Sequence, residues 1–288
     1  MRCTSRTAGT LAPAIHSAFP NASVAMPVPS WQKAGRRQEE RVLEDPLYTD
    51  ASLVAFYDAE NDWGMDRSFC AGLAREVDCV LDLGCGTGAF LAGLANPVRV
   101  GVDPAAAMLD VARARPGAEG VEWIAADART LRLSRQFDLV VLTGHAFQVF
   151  LTDDDQRAVL ATIAAHLAPG GRFIFDSRNP AAREWEEWQP HNSRRWVDHP
   201  AHGRVEAWNT AASDEASGVV TYGTYYRLDD GRTLSAQSRI RFTPRTELER
   251  RIADAGLMVQ RWLGDWNGGA AGETSPEFIP LGGLAPPA

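Results

Sequence analysis

Lysine is almost missing from this chain. Lys33 is the only one, against 28 arginines. No block of basic residues occurs, and the formal net charge is −8. A polyanion such as nucleic acid therefore has no electrostatic footprint to meet, and a small-molecule partner is expected instead. No stretch of 18 apolar residues exists, so no membrane-spanning helix is expected. Cysteine is scarce as well: Cys3, Cys70, Cys79 and Cys85 form neither a C-x-x-C pair nor a Cys/His ladder. That pattern argues against a zinc site and against a disulfide framework, and it suits a reducing, cytoplasmic setting. Residues 1–38 contain no Asp or Glu at all. They read as a disordered extension or as residues upstream of a start at Met26, with a transit segment as a third reading.

What is present is a long alternation of strand and helix patterns. At 288 residues, 45% of them hydrophobic, the chain has room for one large domain or for a domain with an inserted subdomain. Helical patterns at 50–75 precede the first strand. Apolar runs at 77–83, 98–102, 121–125, 137–142 and 171–176 read as strands. Helices are expected at 88–95, 105–114 and 153–167, the last closed by Pro169-Gly170-Gly171. Continuous apolar runs separated by helices predict a parallel, doubly wound sheet covered on both faces. From about 193 to 243 the period changes to two. Four antiparallel strands are expected there, turning at His202-Gly203, Ser217-Gly218 and Asp230-Gly231. A helix follows Thr243-Pro244 and stops at Gly256, and 257–263 and 277–281 are the final strands.

The stretch VLDLGCGTGAF, 80–90, places three glycines at alternate positions after the first strand. Such a turn allows a ligand to approach the backbone, and the helix after it would aim free N–H groups at the same place. The spacing is G-x-G-x-G, not the G-x-G-x-x-G of dinucleotide sites. Two acids sharpen the reading. Asp103 ends the second strand, where a carboxylate can accept from ribose hydroxyls or cap the next helix. Asp127 follows the third strand, where it can accept from an adenine amine, with the Ala128 N–H donating to the ring, or can cap a turn. Turn and acids fall on the carboxyl edge of the sheet, where open α/β sheets bind ligands. Cys85, inside the turn, reads as an apolar filler rather than a nucleophile.

The series VLDLGCGTGAF, VGVDPAAAML, AADARTL, FDLVVLTGHAFQ and HLAPGGRFIFD resembles that of class I S-adenosylmethionine-dependent methyltransferases, in their small-molecule branch. The resemblance implies a Rossmann-like seven-stranded sheet with an antiparallel last strand, carrying an inserted antiparallel β lid. The implied organisation is an extension at 1–45, a core of 46–180 with 244–288, and a lid or substrate subdomain at 181–243. The implied cofactor is S-adenosyl-L-methionine, and the implied activity is methyl transfer to an N or O atom of a small molecule. Gly84 and Gly86 would lie against the methionine part, with Asp82 orienting the turn or the cofactor amine. Asp103 would hold the ribose, Pro104 and Met108 would pack on adenine, and Asp127 and Ala128 would read its edge. Thr143 and Gly144 would face the sulfonium, and Tyr57 would cover the methionine carboxylate. Met108 and Tyr57 also suit plain core positions. Candidate bases are His145 and Asp176, with Gln148 as an orienting group, and no metal site is expected. The ending LTGHAF is not the (Asn/Asp)-Pro-Pro-Tyr of adenine or glutamine side-chain methyltransferases. Rival readings are a non-catalytic binder of the same cofactor and a nicotinamide-dependent oxidoreductase. Neither a membrane nor a nucleic-acid partner is expected, and a homodimer is left open.

Overall fold

Two acids open the described part of the chain by capping helices. The computed structural model describes residues 45–286. The extension expected at 1–45 therefore lies outside the described residues, apart from Asp45. The Asp45 carboxylate accepts from Leu47 N and caps α1 (Pro46–Thr49), and Asp50 caps α2 (Ala51–Glu60) in the same way. α3 (Met65–Ala74) leads to β1 (Cys79–Leu83), whose five residues are all buried. The glycine turn follows, then α4 (Ala89–Ala92), β2 (Val98–Asp103), α5 (Ala106–Ala114), β3 (Val121–Ala125) and β4 (Phe137–Leu142). A 3-10 turn at Ala146–Val149 precedes α6 (Asp153–His166), β5 (Leu167–Phe175) and the two-residue β6 (Ser177–Arg178).

α4 is shorter than the expected 88–95. Gly88 precedes it in the left-handed region and Gly93 caps its end, while Asn96 donates to Ala74 O and Val77 O beyond it. β5 starts earlier than expected because Leu167 already pairs with Phe137; the Pro-Gly-Gly segment then shifts the register before Arg172 meets Leu139.

After α7 (Pro190–Ser193) come β7 (Arg195–His199), β8 (Gly203–Asp214), β9 (Val219–Arg227) and β10 (Thr233–Arg241). They form a separate antiparallel sheet in the order β10-β9-β8-β7. α8 (Arg245–Asp254), β11 (Leu257–Leu263) and β12 (Glu277–Leu284) return to the main sheet. Its order is β11-β12-β5-β4-β1-β2-β3, with β6 paired to the start of β12. The pairs among β1 to β5 are parallel, whereas β12 is antiparallel to β5 and β11. One apolar cluster packs Leu81, Val140 and Phe173 with α6 and α8; another packs Val80, Val141 and Ile174 with Phe90 and Leu109. Coverage on both faces is why the central strands read as unbroken apolar runs. The second sheet packs Val205, Ala207 and Tyr226 on Leu53 and Phe56 of α2.

Candidate active site

The glycine turn is tied down by its neighbours. Gly84 N and Cys85 N both donate to Val102 O, at 2.7 and 3.0 Å, and Gly88 N donates to Cys85 O. Gly86 N donates to Asp103 Oδ2 at 2.9 Å, while Ala105 N donates to Asp103 Oδ1 at 2.9 Å. The N–H groups of Gly84, Cys85, Gly86 and Gly88 are thus hydrogen-bonded inside the protein. A pyrophosphate would find these donors taken. Burial pushes the Asp103 carboxyl up, and the two N–H groups hold it back. Each Asp103 oxygen accepts one N–H and retains a further lone pair.

Gly86 has φ 51, and a Cβ there would lie 3.6 Å from the Tyr57 hydroxyl, so the Tyr57 ring stands over the turn at about van der Waals distance from where a side chain would begin. Gly88 serves packing instead: a Cβ there would run into the Trp123 ring and Ala112. Burial pushes the Tyr57 phenol up and the Cys85 thiol well up, which fits Cys85 as a filler.

The Asp127 carboxylate already accepts within its own turn, from Arg129 N to Oδ1 at 2.8 Å, as the turn-capping alternative has it. Arg129 holds both of its oxygens, Nε to Oδ1 at 3.1 Å and NH2 to Oδ2 at 2.6 Å, and also reaches Asp155 at 2.6 Å. Burial pushes the Asp127 carboxyl up, but the Arg129 hydrogen bonds and charge outweigh this and hold it below its usual range. A base edge would have to share this carboxylate with Arg129.

Past β4 the chain turns at Gly144 and His145, and His145 takes the left-handed conformation at φ 61. Its N–H donates to Asp176 Oδ1 at 2.9 Å. Its ring Nε2 lies 2.7 Å from Glu277 Oε1 and 3.8 Å from Asp176 Oδ2. Burial and Arg178 disfavour the imidazolium, but Asp176 and Glu277 outweigh them and raise the His145 pKa. Burial pushes Asp176 up to about 7. Burial also acts on Glu277, but His145 and Arg178 hold it below its usual range. Donor atoms of His145, Asp176 and Glu277 fall within 4.8 Å of one another, a spacing that a cation could also use and that the expectation of no metal site did not foresee. The 2.7 Å separation is that of a hydrogen bond, so hydrogen bonding by itself accounts for the closeness of the ring and Glu277.

All the sequence-proposed residues except Asp82, Gln148 and Asp176 line one cleft of about 2490 Å³ between the main sheet's carboxyl edge and the second sheet. Those three are fully buried behind that lining. Pro104 is exposed at the rim, Met108 is buried against Val54 and Ala105, and Ala128 and Thr143 are buried. Gln148 orients Arg178, not His145: its Oε1 accepts from Arg178 NH1 at 3.0 Å, and its Nε2 donates to Arg241 O. Tyr222, Tyr226 and Trp188 line the opposite wall, whereas Tyr225 stacks on Trp208 on the other face of the second sheet. Sequence reasoning missed Glu277, Arg178 and Glu60. For Glu277 a signal existed: an antiparallel last strand starts at the edge where parallel strands end, so an acid opening that strand points to the site.

The model of a methyltransferase domain family matches residues 80–171, from β1 through the glycine turn to the middle of β5. Residues 80–171 thus match a methyltransferase domain. Over 149 residues the chain is 36% identical to a cypemycin N-terminal methyltransferase of a Streptomyces species, covering 48% of this chain and 60% of that protein. It is 32% identical over 121 residues to dTDP-4-amino-2,3,4,6-tetradeoxy-D-glucose N,N-dimethyltransferase of Saccharopolyspora spinosa, covering 40% and 48% respectively. The chain thus spans about half the length of the curated relatives it matches. The CcbJ methyltransferase of Streptomyces caelestis superposes with a TM-score of 0.64 at 22% identity, over 77% of this chain and 91% of that one. That likeness concerns the fold. The methyltransferase domain therefore contributes the glycine turn, Asp103, Asp127 and His145. The opposite wall and Glu277 lie outside residues 80–171. Among the described residues no helix is long and apolar enough to cross a membrane.

Proposed function

We propose that the chain is an S-adenosylmethionine-dependent methyltransferase acting on an N or O atom of a small molecule, with the second sheet as a lid inserted between β6 and α8. The observation that carries this reading is the clamp of Asp103 on Gly86 beneath Tyr57, inside a methyltransferase domain. The residues present fit an adenosyl cofactor. Asp103 keeps lone pairs for two ribose hydroxyls, Gly86 lines the cleft, and the buried Thr143 hydroxyl has no hydrogen-bond partner among the described residues. The two relatives bear names that point to nitrogen acceptors, which favours N within that pair.

When bound, the cofactor supplies an electrophilic methyl group on a sulfonium. Asp103 would accept the ribose hydrogens, Tyr57 would cover the methionine end, and Thr143 with Gly144 would border the transferring group. Tyr222, Tyr226 and Trp188 would close over a small acceptor and exclude water, holding it in line. His145 would take the acceptor's proton.

Calorimetric titration with S-adenosylmethionine, S-adenosylhomocysteine and NADH tests the reading, followed by transfer of a labelled methyl group to a panel of small amines and alcohols. Micromolar binding of both adenosyl ligands and label in an acceptor are expected. Binding of NADH alone would overturn the proposal, and adenosyl binding without transfer to any acceptor would leave a non-catalytic binder.

A further inference from the structure

We propose that Glu277 is a positioning residue that fixes the ring tautomer of His145 and so presents Nδ1 to the methyl acceptor. The proposal rests on the methyltransferase reading above. It follows from how His145 is held. Asp176 Oδ1 takes its backbone N–H at 2.9 Å, which anchors a left-handed residue at φ 61. Glu277 Oε1 takes the far end of the ring at 2.7 Å. Two points on opposite sides of the residue leave the ring little freedom. The side chains of His145 and Glu277 are 7% and 10% exposed, so water competes weakly for this bond.

An ionised carboxylate only accepts, so Nε2 must carry the hydrogen, and in the neutral ring the free lone pair sits on Nδ1. Among the described residues Nδ1 has no hydrogen-bond partner, and His145 lines the cleft. The charged groups around the ring come from four places: Asp66 of α3, Asp176 after β5, Arg178 of β6 and Glu277 of β12. Asp176 Oδ2 stands off from Nε2 at 3.8 Å, while Glu277 makes the hydrogen bond.

The acceptor atom's lone pair forms the new bond to the methyl carbon while the carbon–sulfur pair returns to sulfur. The acceptor's N–H or O–H proton passes to Nδ1. The imidazolium so formed keeps its Nε2–H on Glu277, whose charge it neutralises. Glu277 thus acts through His145 and does not touch the acceptor.

The full chain, with ¹⁵N-labelled histidine, tests this by NMR without any substrate. At high pH, His145 is expected as the Nε2–H tautomer, and an Nδ1–H tautomer would overturn the proposal. In Glu277→Gln the His145 titration is expected to move down by about 1–2 pH units, because a carboxylate beside the ring is lost. Glu277→Asp should restore part of the shift. The acid limb of the kcat/KM profile should move with it. An unmoved titration and acid limb, with only a uniform loss of rate, would make Glu277 merely structural and sink the idea. A chain that methylates no acceptor yet shows the NMR shift counts against the methyltransferase reading, not against the pairing of Glu277 with His145.

Discussion

On the core wall of the cleft, Asp103 reaches backbone N–H groups at Gly86 and Ala105, and Gly84 and Cys85 lean on Val102 O. On the lid wall, Glu60 of α2 pairs with Arg195 of β7 and accepts from Tyr226 of β9 at 2.5 Å. The first wall uses backbone donors within a few turns of chain. The second uses charged side chains brought together from 135 and 166 residues apart. Backbone ties persist through most substitutions. Buried ion pairs fail when either partner goes, because the survivor is left charged in a poor solvent. One cleft thus combines a preset cofactor wall with a second wall that single side-chain changes can loosen.

The largest effect is expected where that second wall is cut. The Glu60 and Arg195 side chains are 6% and 15% exposed. Glu60→Ala should cost about 3–5 kcal/mol in urea unfolding, the range for stripping one partner from a buried pair. Replacing both, with Glu60→Leu and Arg195→Met, should recover most of the loss. A single-variant cost below about 1 kcal/mol would erase the contrast between the walls.

The meeting point of the walls should respond to pH. The Asp176 carboxyl is pushed up to about 7 by burial, so the folded state holds its proton more tightly than the unfolded chain does. Stability is then lost as pH rises from the ordinary carboxylate range through about 7. His145 acts in the same direction: its pKa is raised, so its contribution is full below the ordinary histidine range and fades above it. Glu277, held low, matters only in acid. Unfolding free energy should therefore fall between pH 5 and pH 8 by roughly 2–4 kcal/mol. Asp176→Asn, which keeps an acceptor for His145 N, should remove most of that fall. A flat wild-type profile would mean that no charge is penalised there.

The contrast also explains what could be read in advance. The parallel strands showed as continuous apolar runs, and the lid strands as a change of period. The glycines and Asp103 were legible because their partners lie one βα unit away. Arg129 stands two residues from Asp127 in AADAR, yet its hold on both oxygens was not read from the sequence and is shown by the structure. Arg178 and Glu60 were not found because their meaning depends on partners that only the folded chain supplies, whereas Glu277 could have been read from its place at the start of the last strand. The early start of β5 likewise depends on Phe137 of β4 as a pairing partner.

On the core wall, Asp103→Ala should weaken S-adenosylmethionine binding by about 1–3 kcal/mol, the worth of charge-assisted hydrogen bonds to two hydroxyls. Calorimetry reads this directly, and unchanged affinity would remove the ribose assignment. The variant also frees Gly86 N, so unfolding should be measured beside binding to separate a loosened turn from a lost contact.

The smallest effect is expected at Tyr57, and it separates two ways in which α2 could serve the site. The ring stands over Gly86, and the half-buried phenol stays protonated, since desolvation raises its pKa. If the hydroxyl donates to the cofactor carboxylate, Tyr57→Phe removes one hydrogen bond and costs about 0.5–1.5 kcal/mol of cofactor affinity, with unfolding little changed. If the ring serves only as packing against Met108 and Val54, the same variant leaves affinity untouched. Tyr57→Ala then loosens α2, and with it the Glu60 pair three residues on. Titrating both variants and following their unfolding shows whether α2 reaches the cofactor through a hydroxyl or only carries the lid wall toward it.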